Sequence, residues 1–188
     1  MELETDRLWI REFERSDYDA VYDYSSDPDV VRYMPFGPNT PEQAKGFLDR
    51  VMKNQNEENR VNYEMAVVLK ENNVLIGGCR INKVDNIKAH IGYIFNKKYW
   101  GNGYATEIAK ALLIFGFKEL DVHRIYATCD IENIASKRVL EKAGMILEGR
   151  LREDMIIHGR YRDSLILGVL KREWESNKCN RWTGSGRR

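Results

Sequence analysis

The sequence Trp100-Gly101-Asn102-Gly103-Tyr104-Ala105 separates a β-rich run over residues 88–96 from a helical pattern that begins at Thr106. After Thr106 the apolar residues recur at helical spacing, at Ile108, Ala111, Leu112 and Phe115. Glycine lets a backbone approach a ligand closely, and the free N–H groups at a helix start bind phosphate oxygens. The stretch therefore predicts a strand, a phosphate-binding turn and a helix, although Gly-Asn-Gly is also common in turns that bind nothing.

Outward from this turn, strand and helix patterns follow one another in a mixed α/β order, β-α-α-β-β-β-α-β-α-β-β. The predicted strands are 7–12, 63–69, 74–81, 88–96, 124–130, 145–157 and 161–170. The predicted helices are 16–26, 40–56, one from Thr106 that Gly116 and Asp121 close, and 133–143 before Gly144. At Thr40-Pro41-Glu42-Gln43 the capping residue, the first-turn proline and the glutamine three residues on all favour a helix start.

Length and composition indicate one soluble domain. The chain has 188 residues with 43% hydrophobic and 31% charged residues, which is ordinary for a globular protein and excludes collagen, low-complexity disorder and a membrane channel. The formal charge is −6 over residues 1–60, +3 over 61–120 and +4 over 121–188. This asymmetry favours a cationic substrate near the first third and an anionic ligand near the rest, while uneven surface charge alone is the simpler interpretation.

Several classes of partner and location are disfavoured by the sequence. The longest uncharged apolar stretch, 111–117, is far shorter than the ~20 residues that span a bilayer. The acidic start of the chain lacks an export signal, and no basic run favours nucleic acid. Cys79, Cys129 and Cys179 share no metal or redox spacing. We therefore expect a cytoplasmic protein with reduced thiols, no metal and no membrane contact.

The stretch Tyr93–Glu107 resembles the acetyl-CoA-binding motif of the GNAT superfamily of N-acetyltransferases. The family's pattern Gln/Arg-x-x-Gly-x-Gly/Ala falls on Trp100, Gly103 and Ala105, with Trp100 departing from it. Residues 133–145 resemble the family's second cofactor motif. Residues 159–163, Gly-Arg-Tyr-Arg-Asp, resemble the ending of the branch that acetylates the N-termini of ribosomal proteins. Further matches extend from Thr5-Asp-Arg-Leu to Glu173-Trp174.

The resemblance implies a single GNAT domain over residues 1–175, followed by a loose tail over 176–188. Its fold would be a mixed, mostly antiparallel sheet that splays at the centre and is flanked by helices. Acetyl-CoA would lie between the splayed strands, with its pyrophosphate on the turn. The cofactor-binding residues that it implies are Ile94, Phe95, Asn96, Trp100, Gly101, Asn102, Gly103, Tyr104, Ala105, Asn133 and Ser136. Asn133 is also a favoured helix cap, a role that is compatible with cofactor binding.

Acetyl transfer needs a neutral amine, so we looked for a base among the strand residues. Free amines have pKa values of about 8 to 10.4. His90 precedes Ile-Gly-Tyr on the central strand, where relatives often carry glutamate; a half-exposed histidine without a catalytic role fits equally well. Glu64 lies in an apolar strand and would have a raised pKa if it faced the cleft, whereas a solvent-facing position is the simpler alternative. Where some relatives place a carboxylate, this chain has Met155, with Glu153 and Asp154 beside it.

A hydrogen-bond donor is needed for the departing thiolate. Many family members place a tyrosine seven residues after the motif asparagine, at Leu140 here, whereas the ribosomal-protein branch has serine at the position of Ser136. One helical turn separates Ser136 from Asn133, so both share a face. A serine there also often bonds only backbone. Tyr161 is a second candidate donor that fits a rim aromatic better, and His123, His158 and the cysteines are predicted to have no catalytic role.

The sequence therefore predicts an acetyl-CoA-dependent N-acetyltransferase that works by direct attack of a primary amine. The N-terminal amine of a protein is the first acceptor hypothesis, and a polyamine, amino acid or aminoglycoside is the second. A noncatalytic acyl-CoA sensor is the rival from another class. Acceptor selection is expected in residues 27–56 and in the last two strands. The chain is expected to act as a monomer or homodimer.

Overall fold

Eight strands form one sheet in the order β1-β2-β3-β4-β5-β6-β8-β7 in the computed structural model, which describes residues 2–182. The strands are β1 (Glu2–Glu4), β2 (Leu8–Glu12), β3 (Asn62–Leu69), β4 (Leu75–Lys83), β5 (Lys88–Phe95), β6 (Arg124–Asp130), β7 (Ile146–Ile157) and β8 (Arg160–Leu170). Every neighbouring pair is antiparallel except β5 and β6, which are parallel. The predicted mixed, mostly antiparallel sheet is confirmed.

Helices cover both faces of the sheet. They are α1 (Tyr18–Ser25), α2 (Pro28–Val31), α3 (Pro41–Asn54), α4 (Tyr104–Lys118), α5 (Ile134–Ala143) and α6 (Lys171–Trp182). On one face α4 buries Ile108 and Leu112 in a core shared with β4, β5 and β6. On the other face Val21 of α1 and Leu48 of α3 pack in a second core on Ala66 of β3. Because the helices bury apolar faces on both sides of the sheet, the domain has three layers: helices, sheet and helices.

The sheet opens at its centre because β5 and β6 pair over only three residues. The parallel register runs from Lys88↔Arg124 to His90↔Tyr126 and then stops. Beyond that point each strand stays paired only with its outer neighbour, as far as Gly77↔Phe95 on one side and Asp130↔Ser164 on the other. The second half of β5 therefore presents one edge of unpaired backbone groups to a gap between the strands.

The central helix differs from its prediction at both ends. α4 begins at Tyr104, before Thr106, and Gly116 lies inside it rather than closing it. A Cβ at Gly116 would lie 2.5 Å from Ile125 Cδ1 and 2.9 Å from Ile81 Cδ1. Gly116 is therefore required by the close approach of the helix to the sheet. The capping box predicted at Thr40 is confirmed, since Gln43 N donates to Thr40 Oγ1 at 3.3 Å and Thr40 N to Gln43 Oε1 at 2.8 Å.

The two ends of the chain also differ from the predictions. β1 was not predicted, because three residues carry too little pattern; it pairs with β2 from Glu2↔Arg11. The predicted loose tail, 176–188, overlaps a helix that the sequence did not predict, since the α6 backbone is helical to Trp182. Two contacts fix its first turn: Leu170 N donates to Glu173 Oε2, and the rings of Trp174 and Phe117 pack with their centroids 5.2 Å apart. Once its first turn is formed, a helix extends at little cost in free energy. Residues 183–188 lie outside the described part.

Candidate active site

A cleft of about 1410 Å³ starts at the gap between β5 and β6 and extends to both faces of the sheet. One end is lined by the turn before α4 and by α5, the other by α3 and the loop that follows α2. None of the helices between residues 2 and 182 combines the length and apolar composition that crossing a membrane requires. Within the same range no group of three or more metal-binding side chains is arranged to hold an ion.

The turn before α4 depends on two glycines with left-handed backbone. Gly101 has φ +80° and Gly103, the residue that caps α4, has φ +81°. Left-handed backbone costs other L-residues about 1–2 kcal/mol, and β-branched residues are rare there. Among the described residues other than its chain neighbours, none lies within 4 Å of a Cβ built at Gly101, and only Arg7 Nη2, at 3.6 Å, approaches one at Gly103. The glycines are therefore required by the backbone conformation and not by crowding.

This conformation leaves a row of free amides at the positive end of a helix. Among the described residues, the N–H groups of 101–105 donate no hydrogen bond, whereas Thr106 N and Glu107 N both donate to Gly103 O at 3.1 Å. Gly101, Gly103, Tyr104 and Ala105 all line the cleft. Unpaired amides at a helix start attract anions through hydrogen bonds and through the helix dipole. A turn of this kind can bind a diphosphate.

A clamp from the start of the chain, formed by Thr5, Arg7 and Glu107, holds this turn. Arg7 Nη1 donates to Asn102 O at 3.0 Å, and Arg7 Nη2 pairs with Glu107 Oε2 at 2.7 Å. Thr5 Oγ1 donates to Glu107 Oε1 at 2.6 Å. Burial alone would raise the pKa of Glu107, but the hydrogen bonds from Thr5 and Arg7 outweigh it and hold the pKa below its ordinary value. Sequence reasoning missed the clamp as a functional feature, although Thr5-Asp-Arg-Leu was part of the resemblance.

The side chains of the turn bond to the protein itself. Trp100 Nε1 donates to Phe95 O at 2.8 Å, and Asn102 Nδ2 lies 3.2 Å from both Tyr99 O and Trp100 O. Trp100, which departs from the family pattern, therefore closes the turn onto the end of β5. Of the residues predicted at the turn, backbone amides rather than side chains face the anion position.

Ile94, Phe95 and Asn96, the predicted cofactor-binding residues at the end of β5, differ in the side to which their backbone groups point. Asn96 N donates to Ile76 O at 2.9 Å and Asn96 O accepts from Tyr99 N, so its backbone is engaged inside the protein. Its side chain donates to Asp23 Oδ2 at 2.7 Å. Because hydrogen bonding alternates along an antiparallel pair, Ile94 faces β4 as Asn96 does, while Tyr93 and Phe95 face the gap. The backbone groups that can pair with a ligand in the gap are those of Tyr93 and the N–H of Phe95, since Phe95 O accepts from Trp100 Nε1.

Asn133 and Ser136 lie together on the first turn of α5, and Tyr93 reaches them from β5. Ser136 N donates to Asn133 Oδ1 at 3.0 Å, so the capping role of Asn133 is confirmed and its amide nitrogen is left for the cleft. Tyr93 Oη lies 3.0 Å from Ser136 Oγ. Burial raises the pKa of Tyr93, with a smaller opposing effect of the Ser136 hydrogen bond, so the phenol stays protonated. It is a neutral hydrogen-bond donor.

The helix position to which the family resemblance assigns a tyrosine cannot supply a donor in this protein. Leu140, at that helical position, is 1% exposed and belongs to the core. Sequence reasoning missed Tyr93 as a functional residue. The available signal was its alternation with Ile91 and Phe95, which places it on the face of β5 that α4 and α5 cover.

The two predicted base candidates lie on the opposite face of the sheet and line the acceptor end of the cleft. Glu64 is bound by Arg50, with Arg50 Nη1 at 2.5 Å from Oε2 and Nη2 at 3.2 Å from Oε1. The His90 ring packs edge-on against the Tyr126 ring, with the two ring centroids 5.0 Å apart. Burial, and secondarily the charge of Arg80, lower the pKa of His90 to about 4. His90 is therefore neutral at pH 7 but a weak base, and both oxygens of Glu64 are engaged.

Protonation of His90 should destabilise the fold at low pH. Its pKa is about 4 in the folded state against 6.5 for a free histidine, so between these values the unfolded chain binds more protons. The free energy of unfolding therefore falls as the pH falls, by about 3 kcal/mol at pH 4. We expect urea unfolding between pH 7 and 4.5 to show a steeper loss for the wild type than for His90→Gln. Equal losses would contradict the assignment, because carboxylates contribute alike in both proteins.

The other sequence candidates are placed outside the reacting region or bonded elsewhere. Tyr161 is 71% exposed, and Tyr161, His123 and His158 are absent from the cleft walls. Cys79 and Cys129 are buried free thiols; burial raises the pKa of both, that of Cys129 to about 11. The side chain of Cys179 lies outside the described part of the chain. Glu153 N donates to Asp163 Oδ1 at 2.9 Å in the irregular stretch of β7.

Arg162 joins the two regions in which acceptor selection was expected. Its guanidinium, buried at the cleft, donates to Tyr33 O at 3.2 Å and to Ser164 Oγ at 2.6 Å. Arg162 Nη2 also lies 3.2 Å from Met155 Sδ, which explains the methionine at that position. The loop after α2 is thereby fixed to the last two strands.

A sheet that opens between two parallel strands, with a turn of unpaired amides at one end of the gap, fits the class of N-acyltransferases. Residues 7–146 match the family model described as acetyltransferase (GNAT) domain. The chain therefore belongs to the GNAT acetyltransferases, enzymes that transfer acetyl from acetyl-CoA to an amine.

Comparisons with individual proteins agree with this membership. The chain is 41% identical over 175 residues to the uncharacterized N-acetyltransferase YnaD of Bacillus subtilis, covering 93% of this chain and 99% of that one. A GNAT-family acetyltransferase structure from Bacillus anthracis superposes with a TM-score of 0.82 at 37% identity, over 92% and 99% of the two chains. Two further relatives have named acceptors. They are the putative ribosomal N-acetyltransferase YdaF of B. subtilis (32%, covering 55% and 58%) and the spermidine N(1)-acetyltransferase of Escherichia coli (26%, covering 88% and 87%).

Proposed function

We propose that the protein acetylates a primary α-amine, in the first place the N-terminal amine of a polypeptide. The observation that carries the enzymatic part is the row of five free amides over residues 101–105, at the mouth of the gap between β5 and β6. These amides would hold the diphosphate of acetyl-CoA. The backbone of Tyr93, the N–H of Phe95 and the amide nitrogen of Asn133 would hold its pantetheine arm, as an added strand is held.

Acetyl-CoA supplies a thioester carbonyl that a neutral amine attacks, forming the amide and releasing the CoA thiolate. Either hydroxyl can donate in the 3.0 Å contact between Tyr93 Oη and Ser136 Oγ; we propose that Tyr93 donates, which leaves the Ser136 hydroxyl hydrogen free to point into the gap. Ser136 then donates a hydrogen bond to the departing sulfur. We propose Ser136 as the catalytic donor and Tyr93 as the residue that positions it.

On the acceptor side we propose that His90 takes part as a neutral hydrogen-bond acceptor. With a pKa of about 4, its imidazole can align the amine or a water molecule, and the proton released in the reaction passes to solvent. Glu64, paired with Arg50, would shape the floor of the cleft and orient that guanidinium. The rate should then follow the ionisation of the amine rather than that of either side chain.

The charges in the cleft favour an α-amine over a polyamine. Each acidic side chain that lines it already faces a cation: Asp29 with Lys97 at 3.3 Å, Glu64 with Arg50 at 2.5 Å, and Asp130 with Arg162 at 3.9 Å. A polyamine carries several positive charges and would find no unpaired carboxylate among the described residues that line the cleft. A polypeptide N-terminus carries one ionisable amine and a carbonyl group that can accept hydrogen bonds.

Release of free CoA thiol tests the proposal. We expect turnover with short peptides that have a free N-terminus, and little turnover with spermidine or with the same peptides after N-terminal acetylation. Acetyl-CoA that binds, as seen by a thermal shift, without turnover on any amine would overturn the enzymatic proposal in favour of a sensor. Efficient turnover of spermidine alone would overturn the choice of acceptor.

A further inference from the structure

Arg80 of β4 lines the acceptor end of the cleft without a protein partner. Among the described residues it makes no hydrogen bond and no ion pair, and its side chain is exposed. Glu64 is directly opposite it on β3, but both oxygens of that carboxylate are bound by Arg50. Arg80 therefore keeps an uncompensated charge on the cleft floor although an acidic residue is its neighbour.

The direction of the Arg80 side chain follows from Gly92, its partner on β5. A Cβ built at Gly92 would lie 3.2 Å from Arg80 Nε, 3.6 Å from Cγ and 3.9 Å from Cδ. The stem of Arg80 thus lies across Gly92, from β4 towards the gap between β5 and β6. His90 is close enough for the charge of Arg80 to contribute to lowering its pKa. The guanidinium stands beside the place where the acceptor amine must enter.

The wall of the cleft above Arg80 is apolar. It is formed by residues 34–36 of the loop after α2 and by Phe47 of α3, and Phe36 is 43% exposed. A guanidinium binds a carboxylate through two parallel hydrogen bonds, and such pairs are among the strongest polar contacts in proteins. The acceptor end therefore offers the unpaired guanidinium of Arg80 next to an apolar surface, and no unpaired acid among the described residues that line it.

We propose that Arg80 binds a carboxylate of the acceptor, which is held beside the amine that attacks. This inference rests on the proposed acetyl transfer and narrows its acceptors to amines that carry a carboxylate nearby. Two sources have that chemistry: the α-carboxylate of a free amino acid with an apolar side chain, and the side chain of an acidic first residue in a peptide. Pairing with Arg80 also removes the carboxylate's stabilisation of the ammonium form, so more of the amine is neutral.

Matched acceptors that differ only in the carboxylate test the proposal. The first pair is L-phenylalanine and L-phenylalaninamide. The second pair is a tetrapeptide that begins with glutamate and the same peptide beginning with glutamine. Turnover of each acceptor is measured by the release of CoA thiol. We expect kcat/KM to be at least about 10-fold higher for the carboxylate member of one pair. A preference in the first pair identifies a free amino acid as acceptor, and a preference in the second identifies a peptide.

The variant Arg80→Gln should reduce that preference to nearly 1, and Arg80→Lys should restore part of it. Arg160→Gln is the matched control, since Arg160 is exposed and is not among the cleft-lining residues. A wild type that prefers neither member of either pair, or an Arg80→Gln variant that keeps the preference, overturns the role of Arg80. If no acceptor in the set, nor any other peptide or amine, releases CoA, the proposed acetyl transfer itself fails.

Discussion

Gly103→Val should abolish binding of CoA. At φ +81° a β-branched residue is strained, so the turn must change conformation and the amides of 101–105 no longer converge. Losing two charge-assisted hydrogen bonds, at about 1.5–3 kcal/mol each, weakens binding more than roughly 100-fold. For the wild type, ligand at 100 times its Kd should add about 2.7 kcal/mol to the free energy of unfolding. In a thermal-shift measurement we expect this gain to be absent from the variant.

Gly159→Val is a matched control for the strain itself. Gly159 has φ +77° in the turn between β7 and β8, nothing lies within 4 Å of a Cβ built there, and it does not line the cleft. Both variants should therefore lose similar stability without ligand, and only Gly159→Val should keep the full shift with CoA. A full shift in Gly103→Val, or its loss in both variants, would contradict the assignment of the diphosphate to this turn.

The parts of the site that could be predicted are those that depend only on residues adjacent in the sequence. The strand, turn and helix around Gly103 need only the glycines and the periodicity on either side. Asn133 as a cap and Ser136 on its face follow from helical spacing alone. Such local features depend on backbone geometry that the neighbouring residues determine, and tertiary packing does not change them.

The missed parts depend on residues that are distant in sequence. Arg7 reaches Glu107 only through tertiary packing, since the two residues lie 100 positions apart in the sequence. Tyr93 and Ser136 meet because β5 and β6 separate after three pairs, and no local pattern records where a parallel pairing stops. Gly116 was interpreted as a helix end because its real cause, the contact of α4 with Ile125, is tertiary. The candidate site thus depends on the gap that opens where the pairing of β5 and β6 ends.

Ser136→Ala should lower kcat by roughly 100-fold and leave the affinity for acetyl-CoA nearly unchanged. The hydroxyl is needed only when negative charge develops on the departing sulfur, whereas the diphosphate is held by the separate turn of residues 101–105. Tyr93→Phe should lower kcat by about 5-fold, because it removes one net hydrogen bond of about 1 kcal/mol that orients Ser136. Steady-state kinetics with a saturating amine, together with CoA binding by thermal shift, measure both effects.

A double-mutant cycle separates positioning from an independent role of Tyr93. If the Tyr93 phenol acts only by orienting the Ser136 hydroxyl, it has no function once Ser136 is replaced by alanine. The double variant should then be as slow as Ser136→Ala alone. If the loss of kcat in the double variant equals the product of the two single losses, Tyr93 acts on the thioester directly. A Ser136→Ala variant with wild-type kcat would show that the serine is not the donor. Because Leu140 is buried in the core, no phenol on α5 can replace the pair. The thiolate must then find its donor among groups that border the gap, of which this hydroxyl pair is the one that links β5 to α5.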